Sequence, residues 1–244
     1  GSLLKNQEIA EAVVRVTTGG GLVSIHIDTI NEDDYKNLHE NKSDFIQDTL
    51  EGLEQLITLD KLPSELLNCM TFSSVIAEKR FEEIVDYFID NYGITSSIVV
   101  YKPVVPELDH LIPSLEQVRH AVEYKNRRNF SVEVPAIPQC VSKFYCGTTT
   151  SVLVNGGLSV CSRIRHAVVK LGDRRFKEVF SKYRDILLTK KLQDKEFLNP
   201  ACKECSFNNI CWGCRANAWY YKGDFFAGDP KCWHQSNYFS KLQP

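Results

Sequence analysis

Along residues 6–16 the apolar side chains Ile9, Val13 and Val14 fall on one helical stripe, which the Gly19-Gly20-Gly21 run interrupts. Residues 22–29 follow as a strand-like apolar run ending in the polar string His26, Asp28 and Thr29. Residues 45–57 repeat apolar positions at the spacing of an amphipathic helix, and residues 66–72 read as a second strand. A helix over 79–90 and a third, Val- and Ile-rich strand over 97–102 complete the pattern. Helix and strand alternate through short connections, the order of βαβ units in an α/β fold with a parallel sheet. Chemistry is expected at the carboxyl ends of such strands. Three strands do not close a barrel by themselves.

The remaining pattern is shorter in period and richer in turns. Pro113 and Ser114 open a helix over 113–127 with Leu115, Val118 and Val122 on one face, and the polar stretch 125–129 ends it. Residues 149–154 and 158–161 flank Asn155-Gly156-Gly157, where Asn-Gly supplies the positive φ of a hairpin turn. Residues 176–188 form an amphipathic helix. There is no internal repeat and no low-complexity tract.

Charge divides the chain near residue 128. Residues 1–128 carry 12 Lys and Arg against 22 Asp and Glu, and residues 129–244 carry 17 against 9, balances of −10 and +8. A basic half can mark nucleic-acid binding, yet cations also offset a metal site built from thiolates, and nucleic acid is not the expected partner here. No run of about 18 apolar residues and no export signal occur, so neither a membrane span nor secretion is expected, and the cytoplasm is the expected compartment. Nine cysteines are then unusual, because a reducing cytosol seldom uses them in disulfides. Only Cys69 precedes residue 140, among Leu66, Leu67, Met70 and Phe72, and it reads as a small buried apolar residue rather than a nucleophile.

The other eight are Cys140, Cys146, Cys161, Cys202, Cys205, Cys211, Cys214 and Cys232. Two Cys-x2-Cys pairs, Cys202 with Cys205 and Cys211 with Cys214, are separated by five residues; a two-residue gap lets both thiolates reach one centre. A zinc ribbon is the plainer reading, but four ligands leave four cysteines over. Arg163, Arg165 and Arg215 adjoin candidate ligands, where they either tune a metal site or are simply solvated. Trp212, Trp219 and Trp233 read as packing that keeps water off the sulfurs. His26 and Asp28 at a strand end face cofactor or substrate, or else form a satisfied structural hydrogen bond.

This cysteine pattern resembles the SPASM domains at the C-terminus of radical S-adenosylmethionine enzymes. Cys146, nine residues, Gly156, four residues and Cys161 match the first part of the family pattern, with Cys140 as an upstream ligand. Cys202-x2-Cys205-x5-Cys211 matches the later run, Cys214 follows one residue early, and Cys232 fills the last position. The resemblance implies one four-iron four-sulfur cluster on Cys140, Cys146, Cys161 and Cys214, and a second on Cys202, Cys205, Cys211 and Cys232. It also implies a short helix and loop from Cys214-Arg215-Ala216 through Gly223-Asp224 and Asp229-Pro230. More loosely, residues 1–128 resemble the later part of a radical S-adenosylmethionine barrel. His26-Ile27-Asp28-Thr29 would stand at the end of strand four, Asn68 near the cofactor in strand five, and residues 97–103 in strand six.

The expected architecture is thus a partial (β/α) barrel over 1–128, followed by a small α+β cysteine-rich domain over 129–244. His26, Asp28 and Asn68 are the implied cofactor-binding residues. The implied activity is that of a maturase acting on a peptide or protein side chain, with an electron donor such as flavodoxin or ferredoxin. Ser162 stands where the sulfatase-maturing branch has an acidic residue, which turns the reading toward peptide crosslinking or tetrapyrrole tailoring. The family's Cys-x3-Cys-x2-Cys loop occurs nowhere in the 244 residues. The chain is therefore expected to be inactive alone, with S-adenosylmethionine and a third cluster bound only in a longer protein. The competing class is a non-catalytic docking module carrying zinc or iron–sulfur clusters.

Overall fold

The computed structural model describes residues 1–39, 44–102, 105–137, 146–188 and 190–234. Two compact units divide the chain, Gly1–Ala136 and Ile137–Pro244. The division falls a little beyond residue 128 because the end of the preceding helix is tied into the first unit. Asn129 exchanges hydrogen bonds with the backbone of Ser96, and Asn126 donates to the carbonyls of Val134 and Pro135.

The first unit is α/β. It contains α1 (Gln7–Val16), β1 (Val23–Ile25), α2 (Glu32–Leu38), α3 (Asp44–Thr58), β2 (Leu66–Phe72), α4 (Lys79–Tyr92), β3 (Thr95–Val100) and α5 (Leu115–Asn129). Its three strands form one parallel sheet in the order β1-β2-β3. In β2 every second side chain is buried, Leu66, Asn68, Met70 and Phe72, as the two-residue period of a strand requires. Cys69 lies on the opposite, half-buried face, which corrects its expected burial.

The helices cover the sheet with apolar stripes. In α4 these are Phe81, Ile84, Val85 and Phe88, and Phe81 meets Phe72 edge-on at 5.2 Å. The α5 stripe is Val118, Ala121 and Val122. Ser114 and Gln117 form a reciprocal capping box that starts α5, worth about 1 kcal/mol. Arg128 then bridges Asp86 and Asp90 of α4, both at 2.6 Å.

The first strand is shorter than residues 22–29. Beyond Ile25 the backbone pairs with side chains: Asn68 both accepts from the N–H and donates to the carbonyl of Ile27. Asp28 accepts the N–H of Thr71 at 2.6 Å. None of these three bonds belongs to a strand ladder, although Ile27, Asp28 and Thr29 are all buried.

The second unit holds a small antiparallel sheet of β4 (Ser151–Val152), β5 (Gly157–Ser159) and β6 (Val169–Lys170), with β5 central. The hairpin turns at Gly156, whose φ of +75° needs a residue without Cβ strain. Helix α6 (Phe176–Leu187) sets Val179 and Leu187 against Leu158 of β5. Two short helices follow, α7 (Pro200–Lys203) and α8 (Arg215–Lys222).

Candidate metal centres

Several candidate cysteines of the second unit are placed by local devices. Buried Ser159 donates its hydroxyl to the carbonyls of Ile164 and Cys161, folding the chain after β5 back on itself. That loop puts Val160 and Ile164 against Ala216 of α8, with Cys161, Cys214, Trp219 and Phe225 around them. Trp219 and Phe225 stack at 4.5 Å, and Cys214 is the N-cap residue of α8. Cys146, Cys161 and Cys214 consequently line one cavity of about 480 Å³, open mouth included, with Thr149, Arg163 and Arg215 also in its wall.

The later cysteines are held differently. The Asn199 side chain caps the Ala201 N–H at the start of α7, which carries Cys202 into a buried cluster with Leu198 and Trp212. Asn208 donates to the carbonyl of Lys203 at 2.6 Å and accepts the Trp212 indole N–H at 2.7 Å, closing the loop between Cys205 and Cys211. Cys202, Cys205, Cys211 and Cys232 line a second cavity of about 330 Å³. Gly213 lies in the wall of both cavities.

Seven of the eight candidate cysteines thus line two cavities, three in the first and four in the second. Cys140 lies outside the described residues. Cys214 leaves its neighbours in sequence to join Cys146 and Cys161.

The sulfurs are prepared as acceptors. Cys161, Cys205 and Cys211 each receive the backbone N–H two residues on, from Arg163 at 3.5 Å, Phe207 at 3.5 Å and Gly213 at 3.3 Å. Burial pushes the Cys146 thiol up to about 11, with Cys214 and Cys161 adding to the shift, and Arg215 opposes it. Burial also pushes Cys211 up to about 12, aided by Asp229, Cys202 and Cys205. Thiols crowded this way resist ionising, and bound metal cations relieve that cost.

The donor set fits iron–sulfur clusters. It is all sulfur, the soft ligand such clusters take, and amide donors to the sulfurs are of the kind that tune them. The buried Thr149 hydroxyl and the Arg215 Nε, both in residues of the first cavity's wall, have no hydrogen-bond partner among the described residues. A single zinc ion needs four donors about 2.3 Å from one point. Among the described residues, no three His, Cys, Asp or Glu side chains close around a point that one ion would occupy.

Of the three arginines, only Arg215 is buried, at 3% exposure. Its Nη1 donates to the carbonyls of Phe225 and Ala227, and its Nη2 to that of Trp212. Arg163 is half-buried, whereas Arg165 is exposed with its backbone N–H on the Tyr220 hydroxyl, the solvated alternative. Trp212 and Trp233 are buried. Two residues to which the sequence assigns no role at the site hold it together. Asp229, with 0% exposure, accepts the N–H groups of Cys214 and Lys231 and the amide of Asn217. Burial pushes its carboxyl above the ordinary range while those donors oppose it. Gly213 is the other, and its only sequence signal is its place between two ligands.

In the first unit, His26, Asp28 and Asn68 come together at the carboxyl ends of β1 and within β2. His26 Nε2 lies 2.9 Å from one oxygen of Asp28, and His39 Nε2 lies 3.4 Å from the other. The bond to Asp28 raises the His26 pKa above its ordinary value, against burial. Asn68 is fully buried and committed to Ile27. His39 and Thr71 complete this network and were not among the predicted residues.

The chain matches no protein-family profile, no curated protein and no solved structure. Among the described residues, no helix is long and apolar enough to cross a membrane.

Proposed function

We propose that the second unit carries two four-iron four-sulfur clusters in the manner of a SPASM domain. The chain would then serve a radical S-adenosylmethionine maturase that modifies a peptide or protein side chain. One observation carries this reading: seven thiols line two separate cavities, and Cys214 joins the group distant from it in sequence. When bound, the clusters would supply sites that take up or relay single electrons. The chain's own residues hold them: Cys146, Cys161 and Cys214 in the first cavity, with Cys140 as the implied fourth ligand, and Cys202, Cys205, Cys211 and Cys232 in the second.

In the first unit, the partial-barrel reading gives His26 and Asp28 the cofactor-facing edge. His26 is half exposed there, while Asn68 acts by fixing Ile27. The competing reading is a cluster-bearing docking module that works only with another chain; a Cys-x3-Cys-x2-Cys in the native sequence upstream of Gly1 would settle the enzyme class.

Iron and acid-labile sulfide on anaerobically purified protein test the reading. Two cubanes, each on four thiolates, give about eight iron atoms per chain. Zinc without sulfide overturns it. Incubation with S-adenosylmethionine and dithionite separates maturase from docking module only in a longer protein, since the 244 residues alone are expected to leave the cofactor intact.

A further inference from the structure

The two cavities are electrostatically unequal. Arg163 and Arg215 stand in the wall of the first, and no Lys or Arg lines the second among the described residues. Arg215 is the decisive group, because its charge is buried where solvent screens it least. Its fork is pinned by the carbonyls of Trp212, Phe225 and Ala227, so it cannot swing away to water. Its Nε–H has no partner among the described residues. Buried Asp229 adjoins Gly213, where an added Cβ would meet Asp229 Cβ at 2.8 Å and Arg215 Nη2 at 2.9 Å, and the Asp229 carboxylate accepts the Cys214 N–H.

We infer that Arg215 makes the paired sites unequal in reduction potential, so that the cluster in the first cavity accepts an electron before the cluster in the second. This rests on the iron–sulfur reading above. The physics is that of any buried cation beside a redox centre: reduction adds one negative charge, and a fixed positive charge a few ångströms away stabilises the product. Arg215 acts as a positioning and charge-setting residue; it is not a ligand. The spare Nε–H and the Thr149 hydroxyl add donors in the same wall.

The test is a dithionite titration of the reconstituted 244-residue protein, one electron to each cluster, followed by electron paramagnetic resonance. Two separated reduction steps are expected, and Cys146→Ala identifies the higher-potential step by removing it. Arg215→Met lowers that step by at least tenfold in its equilibrium, about 59 mV for one electron, and leaves the other nearly in place. Arg215→Lys keeps most of the gap. Should Arg215→Met fail to load iron, Arg163→Met provides the second variant, with a smaller shift of the same sign in the same step. Full iron content with both steps unmoved, or moved equally, overturns the inference alone. Absence of iron and sulfide in the wild type overturns the cluster reading and this inference with it.

Discussion

The carboxylate of Asp229 accepts the backbone N–H of Cys214 at 2.7 Å across 15 positions of sequence. Its backbone carbonyl accepts the N–H of Cys232 at 3.0 Å. Cys214 belongs to the first cavity and Cys232 to the second, so one fully buried residue fixes a ligand of each.

Asp229→Ala should accordingly damage both sites. It strands the Cys214 N–H and the Asn217 amide in a buried place, at about 1–3 kcal/mol for each group left unsatisfied. The expected result is iron well below the wild-type value, with Asp229→Asn intermediate because its amide oxygen still accepts one bond. Full loading of Asp229→Ala would show that the carboxylate is dispensable.

Gly213 offers a sharper comparison. Its φ is +71°, and a Cβ would meet Asp229 Cβ at 2.8 Å and Arg215 Nη2 at 2.9 Å. Gly223, with φ +69°, has open space around it. Both substitutions by Ala incur the left-handed backbone cost of roughly 1–2 kcal/mol. Only Gly213→Ala should also lose metal, since the clash falls on the wall common to both cavities. Equal iron content in the two variants would contradict this.

Much of the first unit was legible because its elements repeat with a period. The pattern over 66–72 predicts the second strand, and β2 spans Leu66–Phe72 with Leu66, Asn68, Met70 and Phe72 buried in alternation. Helix α2 leaves no periodic mark in the sequence, because none of its residues is buried and no apolar stripe runs along it. Its start signal was present in Asn31, whose side chain caps Asp33 and Asp34. The strand β6 has two residues, too few for a period. The thiol division is another matter. Spacing places Cys211 and Cys214 equally within reach of one centre, and the grouping came from a family resemblance. What parts them physically is the left-handed turn at Gly213 and the pull of Asp229 on the Cys214 amide. That contact spans too many residues for local spacing to encode.

In the first unit, His26 and Asp28 make stability depend on pH. The folded pKa of His26 is raised above the unfolded value of 6.5, chiefly by its hydrogen bond to Asp28. The pair's contribution is therefore complete below 6.5 and fades as pH rises through the raised value. His26 is half exposed, which limits the gain to under about 1 kcal/mol. The melting temperature of wild type should exceed that of His26→Gln at about pH 5.5, and the difference should shrink by about pH 8.5. A gap that widens with pH would assign the wrong sign to the pair.

The grouping of ligands can be read by combining substitutions. Two ligands of one centre fail together, so the second loss adds little once the first has emptied the site; ligands of different centres fail independently. Cys214→Ser should therefore halve the iron, from about eight atoms to about four. Adding Cys146→Ser should leave that value nearly unchanged, because both thiols line the first cavity. Adding Cys211→Ser instead should remove the remainder, although Cys211 is the closer neighbour in sequence. If Cys214 served the same centre as Cys211, the two double variants would exchange outcomes. Iron analysis of the four proteins, purified side by side without oxygen, decides between them.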